Sequence, residues 1–356
     1  MSTFPHSLLS PSSGTRMDGL PTEVTSIILS HLSTSRVFPL MRTSRKLQQA
    51  CGEVIRCRDT LQLGREDKWK ELDWTPVSPL HIVDWDISSQ YQSQLANSLT
   101  MMSSIRILRI DMSSEEASER RWKKRLAGNM VLQNSSSLEQ LCLDDGMFLP
   151  VRKDVRYPRL KRISCAVLDE EDVAACPSLE EVAADSMTNA ALLSLNPDRM
   201  RSLDLETWSP DLHALSHLIN LTCLHLEIVD EVTDEDDVVR DKEVGHVCSW
   251  FPKLQTFKLY IRWGRIGNES LHHLSRLHNL TKLTVYAFTL DVTMDGVQKL
   301  LETESGHRLQ ELKLYSCKRK IQIRKSVIKQ RVDQINQETG RKITISLETG
   351  VKVLGI

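Results

Sequence analysis

One recurring spacing limits what this chain can fold into. The pattern apolar-x-x-apolar-x-apolar occurs as LHIVDW from Leu80, IRILRI from Ile105, LEQLCL from Leu138, LKRISC from Leu160, LEEVAA from Leu179, MRSLDL from Met200, LTCLHL from Leu221, LQTFKL from Leu254, LTKLTV from Leu280 and LQELKL from Leu309. Most successive starts lie 19 to 29 residues apart, with longer gaps from 105 to 138 and from 221 to 254. In an extended segment successive side chains point to opposite sides, so the apolar anchors face inward and the residues between them face outward. One such strand cannot bury its apolar face alone, whereas a stack of neighbours can. Helical spacing lies between strands, at Leu212/Leu215/Ile219, Leu271/Leu274 and Val297/Leu300/Leu301. The expectation is an α/β chain in which each repeat supplies one parallel strand and one helix.

Repeats of this length and spacing resemble the leucine-rich repeat. The resemblance implies a curved solenoid over residues 80–347, with parallel strands on the concave face and helices on the convex face. The asparagine that the family places after the strand is absent. Gly146, Trp208 and Val229 occupy that slot in three repeats, and irregular loops are expected to follow.

The segment before the array reads differently. Pro21 suits the first turn of a helix, where its missing N–H costs nothing, and Val24, Ile27, Ile28 and Leu32 then share one face. Ser33-Thr34-Ser35 stops that helix and caps a second through Val37, Leu40 and Met41, while Thr43-Ser44 caps a third carrying Leu47, Ala50 and Val54. Leu20-Pro21-Thr22-Glu23-Val24, the run from Ile27 to Ser33 and the run from Thr43 to Leu47 resemble the F-box, with its LPxE start, hydrophobic helix and late V-S-R-x-W element. Leu47 stands where the family has tryptophan, Thr43 where it has valine, and Pro39 falls inside the second helix.

The F-box resemblance covers residues 18–58. It implies a three-helix cassette that docks on a Skp-type adaptor through Leu20, Pro21, Val24, Ile27, Ile28 and Leu32, and so joins a cullin-RING ubiquitin ligase. The organisation is then a tail at 1–17, the F-box-like domain at 18–58, a linker at 59–79, the repeat domain at 80–347 and a tail at 348–356. A plain helical cap for the array is the other reading of the cassette.

Aligned windows define a column of outward residues just after the last anchor: Asp86, Asp111, Asp144, Ala166, Asp185, Glu206, Glu227, Tyr260, Tyr286 and Tyr315. An acidic stripe passes into a tyrosine stripe, in a chain with only five tyrosines. As a substrate groove, Glu206 and Glu227 would select a cationic segment while Tyr260, Tyr286 and Tyr315 supply rigid contact area. As plain structure, strand-end acids accept loop N–H bonds and tyrosines suit a sheet surface. The run from Glu227 to Glu243 adds local negative charge, most simply a solvated loop. The basic run KRKIQIRKSVIKQR, residues 318–331, reads as a capping helix through Val327, Ile328, Val332 and Ile335, followed by a final strand from Ile343 to Leu347.

Other signals exclude more than they assign. A net charge of -1 gives no overall pull toward nucleic acid or membrane. Eight scattered cysteines without a CxxC pair fit reduced thiols in an intracellular protein, cytoplasmic or nuclear. Sequons at Asn134, Asn220, Asn268 and Asn279 would suit a secreted ectodomain, but MSTFPHSLLSPSSGTR lacks the charged region and apolar core of a signal peptide. Residues 291–302 superficially match a calcium loop, yet they fall where the repeat requires its helix and Lys299 occupies a ligand slot. His213 and His217 have metalloprotease spacing without the glutamate of HExxH. The expectation is a non-enzymatic adaptor with no cofactor or metal, whose partners are the ligase core and an unidentified protein target. A leucine-rich scaffold that meets no ligase is the alternative.

Overall fold

The computed structural model describes residues 105–110, 117–143, 147–151, 154–207, 212–228, 240–318 and 325–349, and two short strands at 60–63 and 80–82. The F-box-like cassette, with its six candidate adaptor contacts, lies outside the described residues. Contacts divide the chain into two compact units, residues 1–111 with 125–134 and residues 112–124 with 135–356. No described helix is long and apolar enough to cross a membrane.

In the first unit, β1 (Thr60–Leu63) lies between β2 (Leu80–Ile82) and β3 (Ile107–Ile110), all parallel. Strand β1 falls in the stretch expected to be a linker; Arg58 stands where the repeat pattern has its first apolar anchor, which hides the strand in the sequence. Leu61 pairs with Leu80 on one side and with Leu108, a second anchor, on the other. Leu80 therefore takes the second-anchor position, and VSPLHI from Val77 replaces LHIVDW as the matching window. Asp86 lies outside the described residues. Helix α1 (Ala117–Gln133) fills the long gap after β3. Leu126, Ala127, Met130 and Val131 are buried, as are Ile105, Leu108 and Ile110. Asn134 accepts from the Ile105 N–H and donates to the Met130 carbonyl, each at 2.9 Å.

The second unit is a parallel sheet whose nine described strands adjoin in chain order. They are β4 (Gln140–Leu143), β5 (Arg162–Leu168), β6 (Glu181–Met187), β7 (Ser202–Thr207), β8 (Cys223–Ile228), β9 (Thr256–Gly267), β10 (Lys282–Asp291), β11 (Glu311–Ser316) and β12 (Thr344–Thr349). Between them run α2 (Glu170–Ala175), α3 (Asn189–Ser194), a 3-10 turn at Leu212–Leu215, α4 (Asp241–Trp250), α5 (Asn268–Leu274), α6 (Met294–Glu302), α7 (Glu304–Arg308) and α8 (Lys325–Thr339). All anchors of the eight windows from Leu138 to Leu309 are buried, none more than 7% exposed. Their second anchors face one another strand by strand, as in Leu203, Leu224, Phe257, Leu283 and Leu312. Leu212, Val244 and Val247 from the connecting segments line a shared interior with Leu226, Phe257 and Leu259.

Three sets of polar bonds lock one repeat to the next. From Leu138 to Leu280 the carbonyl after each first anchor accepts two N–H groups from the following repeat: Arg201 takes those of Thr222 and Cys223, Thr222 those of Gln255 and Thr256, and Gln255 those of Thr281 and Lys282, at 2.7 to 3.1 Å. The residue before each first anchor forms a side-chain rail. Asn220 donates to the Pro197 carbonyl at 3.1 Å and accepts from Lys253 at 2.6 Å, while Asn279 donates to the Pro252 carbonyl at 3.2 Å and accepts from Arg308 at 2.8 Å. In the third set the first residue of one helix binds the residue that precedes the next: Asp241 accepts the Gly267 N–H at 3.0 Å, and Asn268 accepts the Thr293 N–H at 2.9 Å. All four sequon asparagines are thus engaged by the fold.

The connecting segments depart most from the periodic reading. Leu212–Leu215 is a single 3-10 turn rather than a helix through Ile219, which is 53% exposed. Residues 291–302 are the end of β10 and then α6, whose N-terminus Thr293 caps by accepting from the Gly296 N–H at 3.3 Å. Helix α8 buries Ile328, Val332 and Ile335 as expected but exposes Val327, and Gly340, at φ 71°, ends it in the left-handed conformation that glycine favours. Strand β12 extends two residues beyond Leu347, into the stretch expected to be a tail.

Leu224→Ala or Leu283→Ala is expected to lower stability by roughly 2–5 kcal/mol, since both side chains are fully buried anchors. Denaturant midpoints measure this. Gly296→Ala should also destabilise, by about 1–3 kcal/mol, because a Cβ there would meet the Asn268 carboxamide oxygen that accepts the Thr293 N–H.

Candidate binding face

Burial of the anchors leaves the alternate residues of each strand on the opposite face. Parallel pairing in register sets Glu206 opposite Glu227, Glu227 opposite Tyr260, Tyr260 opposite Tyr286, Tyr286 opposite Tyr315 and Tyr315 opposite Glu348. The column read from the sequence is therefore continuous from Glu206 to Tyr315, and Glu348 extends it by one strand. Asp111 and Asp144 lie outside the described residues.

Identical residues at one register position on three adjacent strands must stand about one strand spacing apart. The tyrosine rings do so: Tyr260 and Tyr286 are stacked with centroids 4.3 Å apart and planes at 10°, Tyr286 and Tyr315 at 4.1 Å and 7°. All three are half-buried. Burial, the leading cause in each case, raises the three phenols above their ordinary value, so they remain neutral hydrogen-bonding groups.

The acidic half of the column is not a row of free carboxylates. Arg262, two residues beyond Tyr260 on β9, reaches back across β8 and donates through Nε to Glu227 at 2.5 Å and through a terminal nitrogen to Glu206 at 3.1 Å. Burial and the nearby Glu227 raise the Glu206 carboxyl, against the opposing pull of Arg262. Two carboxylates on one guanidinium leave a net negative charge that is much weaker than the bare pair. The alternation that puts Arg262 and Tyr260 on one face was legible in YIRWGRI; its reach over two strands was not.

Beyond the tyrosines the aromatic surface continues. Phe288, two residues after Tyr286, lies 5.1 Å from the Trp263 ring, with the Lys318 ammonium 5.1 Å from its centroid. Between Ala287 and Thr289 the register of β10 against β9 shifts, and Gly264, at φ 116°, sits in the irregular stretch. That shift brings Trp263 beside Phe288, which simple alternation would not do.

The column one pleat earlier reads Asp204, His225, Lys258, Thr284 and Lys313. His225 Nδ1 lies 2.9 Å from the Asp204 carboxylate, and Lys313 is 2.5 Å from Glu311. His213 does not pair with His217 as a metal site. It packs 5.6 Å from His246 and 5.2 Å from Trp250, while the His217 ring nitrogens lie 3.0 and 3.3 Å from the Ala214 and Leu195 carbonyls.

No protein-family model matches this chain, and no curated protein matches it either.

A double-mutant cycle on Tyr260 and Tyr286, each changed to Ala, should yield a coupling of about 0.5–1.5 kcal/mol in unfolding free energy. The cycle on Tyr260 and Tyr315, two strands apart, should yield a coupling near zero.

Proposed function

We propose that this chain is the substrate-recognition subunit of a Skp–cullin–F-box type ubiquitin ligase, with residues 18–58 docking on a Skp-type adaptor and the repeat sheet holding a protein target. The observation that carries the reading is the joint occurrence of an F-box-like segment and a sheet that gains one parallel strand per repeat. The sequential strand order supports a leucine-rich-repeat solenoid. The aligned column supports a binding role for the sheet's uncovered face.

Target and adaptor contacts separate along the chain. Leu20, Pro21, Val24, Ile27, Ile28 and Leu32 contact the adaptor. Tyr260, Tyr286 and Tyr315 form an apolar platform, and Glu206 with Glu227, bridged by Arg262, retains the residual negative charge. A matching target segment places an aliphatic or aromatic anchor on the tyrosines and Lys or Arg beside the carboxylates. The chain itself then performs no catalysis, needs no cofactor, and works inside the cell.

Leu20→Ala with Pro21→Ala should abolish binding to a purified Skp-type adaptor while leaving the unfolding transition of the repeat sheet unchanged. Unaltered adaptor affinity in a direct titration would favour the competing reading, a repeat scaffold with a helical cap and no ligase partner. Replacing Tyr260, Tyr286 and Tyr315 by Ser should release targets recovered by pull-down without loss of the adaptor. Retention of every wild-type partner by that variant would remove the tyrosine platform from the proposal.

A further inference from the structure

The side-chain rail that joins the repeats carries a second period, twice as long as the first. Just before the first anchor the strands hold, in order, Arg159 before β5, Ser178 before β6, Arg199 before β7, Asn220 before β8, Lys253 before β9, Asn279 before β10 and Arg308 before β11. Three residues further on, Arg162, Glu181, Ser202, Cys223, Thr256, Lys282 and Glu311 are successive register partners. The seven rail positions therefore stand level at the N-terminal edge of the sheet. Strands β5, β7, β9 and β11 contribute an exposed cation, and β6, β8 and β10 a half-buried hydroxyl or carboxamide.

The smaller groups hold the cations in place. Arg199 donates to Ser178 Oγ at 3.2 Å, Lys253 to Asn220 at 2.6 Å and Arg308 to Asn279 at 2.8 Å. Ser178 and Asn279 also donate to the carbonyls of Pro158 and Pro252, which precede Arg159 and Lys253. Among the described residues none of the four cations is paired with a carboxylate. Lys161 and Arg162, further along the same chain segment, are paired with Glu180 and Glu181 at 3.2 and 2.6 Å. The next rail slot belongs to Arg341, whose guanidinium is turned onto the Leu301 and Gly306 carbonyls and ends the row.

We propose that these four cations form a docking surface for an acidic protein segment in the polyproline II conformation, with Asp or Glu at every third residue. Neighbouring strands lie about 4.7–4.9 Å apart, so cations on alternate strands recur at roughly 9–10 Å. A polyproline II segment has three residues per turn and rises about 3.1 Å per residue, which sets its residues i, i+3, i+6 and i+9 on one face at ~9.3 Å intervals. The two spacings agree along the whole row. Exposed ion pairs are individually weak, so binding rests on several forming together at a fixed spacing.

Other acidic partners match less well. In a β-strand the residues i and i+3 point to opposite sides, and in an α-helix the nearest same-face step, i to i+7, is ~10.5 Å and overshoots at every cation. A single nucleic-acid strand gains affinity from bases stacked on aromatic rings, and the row contains none. The row precedes Tyr260 by seven residues on β9, and docking there is independent of the tyrosine platform and of any ligase.

The test titrates the full chain into a fluorescein-labelled peptide of four Glu-Pro-Pro repeats and follows anisotropy. The peptide should bind in about 0.01 M salt and more weakly in about 0.15 M. An isomer with its four glutamates together, followed by eight prolines, should bind at least about fivefold more weakly. Lys253→Gln with Arg308→Gln keeps donors for Asn220 and Asn279 but removes two charges, and should weaken binding roughly tenfold with an unchanged melting transition. Arg199→Gln alone should weaken it about threefold and serves if the double variant does not fold. Lys161→Gln, off the row, should leave the affinity unchanged. Absence of binding in low salt, equal binding of the isomer, unaltered affinity in the row variants, or tighter binding of a twelve-nucleotide oligothymidine would each overturn the proposal.

Discussion

From Leu138 to Leu280 the carbonyl of the residue following each first anchor accepts two amide protons from the next repeat, and the register of these strands follows from it. A slip of one residue would turn every anchor outward, so the buried anchors and this double acceptor enforce the same alignment from opposite sides. Alignment in turn creates the columns. Tyrosines 26 to 29 residues apart in sequence stack at 4.1 to 4.3 Å because the ladder holds their strands level. Insertions are confined to the connections, where α1 and α4 occupy the two long gaps.

The anchors were legible because burial of a half-covered strand leaves a period that no other constraint disturbs. All eight windows of the second unit kept the register read from sequence. The pattern failed where an anchor slot held a charged residue, as at Arg58, or where two overlapping frames competed, as at Leu80. The connecting segments were less legible for a different reason. Their starts rest on single polar residues, Asp169 for α2, Thr188 for α3, Thr293 for α6 and Thr303 for α7, with Asp241 of the preceding repeat serving α5, and a lone polar residue in a turn gives no sign of the helix it will cap. Column membership was readable, and what the side chains do within the columns was not. The bridge from Arg262 to Glu206 and Glu227 joins three strands, and neither its length nor its hand is written in any one of them.

Both halves of the tyrosine column are satisfied sideways before any partner arrives. The carboxylates share a guanidinium and the rings share their faces, so little reorganisation is left for binding. A partner would meet a preorganised edge of phenols, continued by Phe288 and Trp263, and bordered on the earlier pleat by Lys258 and Lys313. The residual charge of the bridge and Lys258 differ in sign across a few residues, while Lys313 is paired with Glu311. Such a surface favours a segment of mixed charge in one orientation, because reversal would set like charges together.

Parallel sheets usually have both faces covered, and polar columns on a half-buried outward face find partners among themselves. Among the described residues the paired strand amides are committed to the ladder, so the chemistry left to that face belongs mainly to side chains. That favours ion-pair bridges and stacked rings over any arrangement that depends on backbone donors.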